Sequence, residues 1–319
     1  MAENLYKLDR DLHFYAYEND RNVFSGEILK KKKWHRKLPF LFQKPKVWHA
    51  THQDVDVYPS SKGIKRILTV HDLNALTEIE SPERKNKYLR KLQKKVDAAD
   101  IITCISDFTK TEIEKNLNVK EKRVEVIYNG VCLNQNESPL KPKALKFSSK
   151  DFLFSLGTVV PKKNYRIILE VAKKDSSLNF VIAGTLFHDH AKELLKEVEK
   201  LGLQNQVQFL GEITEAEKNY LLQEAKAFFH PSLLEGFGLP IIESMANGIP
   251  VVSSNACSLP EIGGGLSFLF NPHNSDEAYK AIQLMLESEI DRTKLIQHGT
   301  SFSWKKAAEA YYDLYLSLL

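Results

Sequence analysis

Two glutamates, Glu235 and Glu243, stand eight positions apart in "HPSLLEGFGLPIIESMANGIPVVSS", His230 to Ser254. A carboxylate pair supports three readings: general acid and base of a hydrolase, hydroxyl acceptors in a ligand pocket, or two solvated charges. "AFFHPS" has the apolar character of a strand. Pro240 suits a first helical position, where its missing N–H costs nothing, and Gly248 and Pro250 end the helix. Glu235 is therefore expected in the loop after the strand, and Glu243 about one turn into the helix. Gly236 and Gly238 remove side chains where backbone must approach something closely. Free N–H groups and aligned peptide dipoles at a helix start favour an anion, and a phosphate fits. Carboxylates are poor phosphate ligands but good acceptors for sugar hydroxyls. Together these features suit a nucleotide-sugar. Two solvated glutamates would be the default for a lone E-x7-E match. Strand, glycine loop, proline and helix in this order shift the balance.

The elements that must position this stretch alternate. After Asp151, "DFLFSLGTV", "LNFVIAG", "VQFLGEI", "AFFHPS" and "IPVVSS" read as strands between amphipathic helices. The first half repeats the pattern more weakly in "LHFYAY", "KVWHAT", "RILTVHD", "DIITCIS" and "RVEVIYNG". "SPERKNKYLRKLQKKVDAAD" reads as a basic helix, and "SDFTKTEIEKNL" as a helix capped by Ser106 or Asp107. Turn and linker signals from Asn129 to Lys150 mark a boundary, giving domains 1–140 and 141–319. The expected fold is α/β: two doubly wound Rossmann-like domains facing a cleft, with ligands at the carboxyl ends of the strands.

At 319 residues the chain is long enough for two cores. A formal charge of +4 is too small to argue for nucleic acid. Cys104, Cys132 and Cys257 form no C-x-x-C pair and read as free thiols in a reducing compartment, with Cys104 a buried inert thiol. No signal peptide is evident, and no apolar run approaches the ~18 residues of a spanning helix. A cytoplasmic protein is expected.

The carboxylate stretch, followed by "SLPEIGG", resembles the signature of the family 4 (group 1) retaining glycosyltransferases of the GT-B fold. "LGTVVPKKN", "ILTVHDL", "ADIITCISDFTK", "VIYNGV" and "FSWKKAAEAYYDLY" resemble further segments of that family, from about residue 45 onward. The resemblance implies that Glu235 contacts donor-sugar hydroxyls and Glu243 the ribose hydroxyls. It implies that backbone N–H groups of Gly236, Phe237, Gly238 and Leu239 touch sugar and diphosphate. Lys162 and Lys163 would supply cations, with Lys162 standing where relatives carry arginine. A lysine there is a point charge without the planar fork, so looser geometry is expected. Gly184 and "LGEI" would approach the base, and His71 the donor sugar. His71 also reads as a turn histidine beside Asp72, and Ser258, Pro260 and Glu261 as shaping a helix start.

The implied reaction is retaining, metal-independent glycosyl transfer without a cofactor. Donor is a nucleotide-sugar, with a lean to mannose as GDP-mannose. Acceptor is a glycan or lipid-linked precursor of a cell-surface polysaccharide or lipopolysaccharide. "DVDVYPSS" at Asp54 reads as a loop and not as a metal-binding D-x-D motif. The resemblance places the last helix back on the first domain.

The family normally opens with a strand and a glycine-rich loop. This chain opens with "MAENLYKLDRDLHFYAY", which looks like the end of the first helix and then the second strand, and its first glycine is Gly26. A gap or re-pairing in the first sheet is expected. A nucleotide-sugar-binding homologue with little or no turnover is the rival function. "ILKKKKWHRKLPFLF", Ile28 to Phe42, reads either as a peripheral contact with the inner membrane face or as a solvated basic loop.

Overall fold

The computed structural model describes residues 1–9, 11–12, 14–16, 28–30, 45–55, 58, 62–131 and 137–319. They form two units, Met1–Gly130 with Ser303–Leu319, and Val131–Phe302. The change falls at the start of the turn-rich stretch, and the chain from Ser303 returns to the first unit. Most of the Ile28–Phe42 segment, Gly26, Asp56 and Cys132 lie outside the described residues.

In the first unit, helix α1 (Ala2–Leu8) precedes strands β1 (Phe14–Ala16) and β2 (Ile28–Lys30), which pair in parallel. A separate parallel sheet holds β3 (Val47–Ala50), β4 (Lys65–Val70), β5 (Ile101–Cys104) and β6 (Arg123–Val126) in chain order. Among the described residues no ladder joins the two sheets. Ile67, Leu68, Ile101 and Ile102 are all buried, as strands covered on both faces require. Helices α2 (Ala75–Glu78), α3 (Pro82–Ala98) and α4 (Asp107–Asn116) connect them. Ser81 and Ser106 cap α3 and α4 by accepting from the N–H groups of Arg84 at 3.4 Å and Thr109 at 3.1 Å. Of the two cap candidates, Ser106 caps and Asp107 is the first helical residue. Burial pushes the Cys104 thiol up to about 12, so it stays protonated.

The second unit runs β7 (Leu153–Leu156), α5 (Arg166–Ala172), β8 (Phe180–Ala183), α6 (Asp189–Lys200), β9 (Val207–Gly211), α7 (Glu215–Glu224), β10 (Ala227–His230), α8 (Leu239–Ala246), β11 (Val251–Ser254), α9 (Leu259–Gly263), β12 (Phe268–Phe270), α10 (Ser275–Glu287) and α11 (Arg292–Ser301). The sheet order is β12-β11-β10-β7-β8-β9, all parallel. Counted from β7 this is the doubly wound order 3-2-1-4-5-6, whose direction reverses between β7 and β10. Phe180, Phe229 and Phe270 fill the core beneath, the last two stacked with centroids 5.3 Å apart.

The final helix, α12 (Trp304–Leu316), belongs to the first unit. It buries Ala307, Ala308, Tyr311, Leu314 and Tyr315 against Ile67, Ile101, Ile127 and Leu5. A polar cluster lies within this packing. His49 Nδ1 meets the Tyr315 hydroxyl at 2.6 Å, its Nε2 meets Thr69 Oγ1 at 2.7 Å, and Thr69 meets Thr103 at 2.7 Å.

Candidate active site

At the switch point of the second unit, the loop after β7 meets the loop after β10. The Leu233 N–H donates to the Lys162 carbonyl at 2.8 Å. Lys163 ends a short 3₁₀ turn, Pro161–Lys163, and its Nζ donates to Glu235 Oε1. The lysine stem crosses Gly157, where an added Cβ would lie 3.2 Å from Lys163 Cε. Asn164 closes the turn at φ +55°, anchored by its Nδ2 donating to the Pro272 carbonyl at 2.8 Å.

Glu235 Oε1 accepts two more hydrogen bonds, from Ser232 Oγ at 3.0 Å and His230 Nε2 at 3.0 Å. His230 is the last residue of β10, 1% exposed, with its ring stacked on Phe228. Burial by itself would raise the Glu235 pKa. The His230 hydrogen bond and the Lys163 charge outweigh it and hold the carboxyl well below the usual carboxylate range. Burial lowers the His230 pKa against the pull of Glu235, so the imidazole is neutral with Nε2–H as donor. Among the described residues Glu235 Oε2 accepts no hydrogen bond. An ionised Glu235 has no proton to give as a general acid; it has a lone-pair surface for a hydroxyl.

Glu243 has its own cation. Lys218 Nζ on α7 lies 3.5 Å from Glu243 Oε1 and 2.8 Å from Glu215. Burial raises the Glu243 pKa, with Lys218 opposing.

The start of α8 is open. Gly238 is its N-cap at φ +106°, a conformation suited to glycine, and no side chain caps the helix. Among the described residues the N–H groups of Gly238 and Leu239 make no hydrogen bond. Leu239, and not Pro240, is the first helical residue; proline is tolerated one position later because that N–H also lacks an intrahelical acceptor. The Phe237 side chain turns inward, 4% exposed, edge-on to Phe302. Ser258 Oγ donates to the Phe237 carbonyl at 2.9 Å, so the segment leading into α9 shapes the glycine loop.

Gly184 follows β8 at φ +140°, and an added Cβ would lie 2.1 Å from the Gly157 carbonyl oxygen. Close backbone approach accounts for this glycine. His71 belongs to the first unit, just after β4. Its Nε2 donates to the Thr51 carbonyl at 2.8 Å, its N–H to Gln53 Oε1 at 2.9 Å, and its ring centroid lies 4.7 Å from that of His52. Lys163, Glu235 and the α8 start are thus gathered around one switch point, while His71 is held by its own unit.

Three partners escape the sequence reading. His230 and Ser232 precede the first glutamate by five and three residues, and their signal was position at and just after a strand end. Lys218 carries no such signal, since only the doubly wound topology brings α7 beside α8.

A doubly wound unit with this switch-point site, joined to a second α/β unit, defines the GT-B class. The match to known families agrees. Residues 136–302 match the model described as "Glycosyl transferases group 1", and residues 8–135 match "Glycosyltransferase Family 4". The chain belongs to the group 1 glycosyl transferases. It is 25% identical over 268 residues to the O-antigen chain mannosyltransferase B of Escherichia coli, covering 79% of this chain and 70% of that protein. It is 27% identical over 291 residues to the serotype-specific mannosyltransferase WbdA of Escherichia coli, covering 85% of this chain but only 36% of the relative. Among solved structures, Anabaena Alr3699/HepE in complex with UDP superposes with a TM-score of 0.73 at 20% identity, covering 98% of this chain and 94% of that one. A glycosyltransferase from Rickettsia africae superposes with a TM-score of 0.73 at 15% identity, covering 99% and 93%. The structural likenesses show the shared fold.

Proposed function

We propose that this glycosyltransferase moves mannose from a nucleotide-sugar to a hydroxyl of a polysaccharide or lipopolysaccharide precursor, with retention at the anomeric carbon and without a metal. One observation carries the reading. Glu235 is ionised, its side chain only 15% exposed, and bonded through Oε1 alone, in the loop after β10 that leads to two open N–H groups. Oε2 then accepts a donor-sugar hydroxyl. The N–H groups of Gly238 and Leu239 and the ammonium of Lys163 take the diphosphate, with Lys162 beside them. Glu243 accepts from the ribose hydroxyls. The bond from the anomeric carbon to the diphosphate oxygen breaks as the acceptor oxygen bonds to that carbon on the same face. The acceptor proton passes to the departing phosphate oxygen, where the lysines stabilise the growing charge. For His71 and Gly184 a ligand role rests on the family resemblance. The mannose assignment is supported by the two mannosyltransferases named above, and the acceptor class by the O-antigen chain named for the first of them. Contact of the chain with the inner membrane face belongs to the same reading.

The test is nucleoside diphosphate release from GDP-mannose, with and without a mannose-terminated oligosaccharide, in EDTA. Release that requires the acceptor and survives EDTA is expected. Release independent of acceptor overturns the transfer reading, and release from UDP-glucose alone overturns the mannose assignment. Loss of activity in EDTA, restored by a divalent cation, overturns metal independence.

A further inference from the structure

The Lys163–Glu235 pair poses a problem for the reading above, on which the present inference rests. Lys163 is the counter-ion of a carboxylate that is only 15% exposed. A diphosphate at the α8 start competes for the same ammonium. When Lys163 turns toward phosphate, Glu235 is left as a buried anion, and an unpaired buried charge is costly. Without another donor on Oε1 the carboxylate would also be free to rotate, and the hydroxyl-accepting Oε2 would lose its orientation.

The structure supplies a donor anchored in the sheet. His230 sits at the end of β10, 1% exposed, its ring stacked on Phe228 with centroids 5.7 Å apart. Its carbonyl lies 3.5 Å from Ser253 Oγ on the adjacent strand β11. Strand pairing of His230 with Ser253 fixes the backbone as well. The Nε2–H meets Glu235 Oε1 at 3.0 Å, and Ser232 adds a second bond at 3.0 Å from the loop. A side chain carried on a central strand holds its geometry better than one carried on a loop or at the end of a lysine stem.

We propose that His230 is a positioning residue for the transfer: a neutral, strand-borne hydrogen-bond donor that holds the Glu235 carboxylate oriented toward the donor sugar while Lys163 is drawn to the diphosphate. Histidine suits the task because one ring nitrogen can donate while the ring carries no net charge.

The test compares His230→Gln, which keeps an N–H donor of similar reach, with His230→Phe, which fills the space without one. The probes are GDP and GDP-mannose with the oligosaccharide acceptor. His230→Phe is expected to lower kcat/KM for GDP-mannose by about 10- to 100-fold, the scale of a misoriented reacting group. GDP affinity should change by less than about threefold, because phosphate and ribose contacts remain. His230→Gln should retain turnover within about fivefold. A purely structural role would lower GDP affinity and thermal stability along with turnover. That pattern, or full activity of His230→Phe, overturns the proposal. If the wild type does not turn over GDP-mannose, the donor assignment fails separately. The proposal is then judged on the unliganded protein by long-range ¹H–¹⁵N NMR of the imidazole. Protonation at Nε2 with Nδ1 bare between pH 6 and 8 supports it; a bare Nε2 overturns it.

Discussion

Lys163 Nζ and Glu235 Oε1 form an ion pair across the switch point, joining the loop after β7 to the loop after β10, with both side chains about 85% withdrawn from solvent (16% and 15% exposed). Replacing the lysine alone strands the carboxylate. Lys163→Met should lower unfolding stability by about 2–3 kcal/mol, less than for a fully buried pair because His230 and Ser232 still serve Oε1. Adding Glu235→Gln to that variant should restore most of the loss. Urea unfolding followed by far-ultraviolet circular dichroism measures both. An unchanged midpoint in Lys163→Met would show that the pair contributes nothing to the fold.

Glu243 predicts a pH dependence for nucleotide binding. Burial raises its pKa above the ordinary 4.5, so it takes up a proton at a higher pH than an exposed glutamate would. Ribose hydroxyls donate to the ionised form. GDP affinity should therefore be flat at neutral pH and fall as pH drops through the raised value. Glu243→Gln should remove that dependence and weaken binding at pH 7.5 by about tenfold, the scale of hydrogen bonds to a charged acceptor. Calorimetric titration between pH 5 and 8 supplies the measurement; unaltered affinity in Glu243→Ala sinks the ribose assignment.

Periodicity and turn chemistry made the second unit legible because each signal is local. "AFFHPS", the two glycines and the proline lie within fourteen residues, Ala227 to Pro240, and the chain folds there much as they dictate. The start of α8 differs by one residue because both Leu239 and Pro240 suit a position without an intrahelical acceptor. The cations were less legible. Lys163 reaches Glu235 across 72 positions and Lys218 reaches Glu243 across 25, distances that only the strand order closes. Glycines were legible as special positions but not as to cause. Gly238 opens a helix, whereas Gly184 makes room for a carbonyl.

That distinction is testable at Gly184. A methyl group there meets the Gly157 carbonyl at 2.1 Å and forces an L-residue to φ +140°. Gly184→Ala should cost about 2–4 kcal/mol, backbone strain plus displacement of a strand end. Thermal unfolding of the variant should show the loss without any ligand present. A variant as stable as the wild type, but weakened in GDP affinity, would instead make Gly184 a ligand contact.

His49 predicts the acid stability of the first unit. Its ring on β3 is bonded to Thr69 of β4 and Tyr315 of α12, and burial first, then the charge of His71, lowers its pKa from 6.5 to about 3. The folded state thus binds fewer protons than the unfolded chain in that window. Stability is complete above pH 6.5 and is lost as pH falls toward 3, at up to about 1.4 kcal/mol per pH unit for this one group. His71, lowered by burial in the same unit, adds a slope of the same sign. Trp48 and Trp304 report on this unit, and the second unit contains no tryptophan. Urea unfolding followed by tryptophan fluorescence at pH 7.5, 6.0 and 5.0 should show falling stability. His49→Asn should be less stable at pH 7.5, having lost the bonds to Tyr315 and Thr69, yet show a shallower decline below pH 6. Equal slopes in the two proteins would mean that the buried imidazole is not the group that titrates.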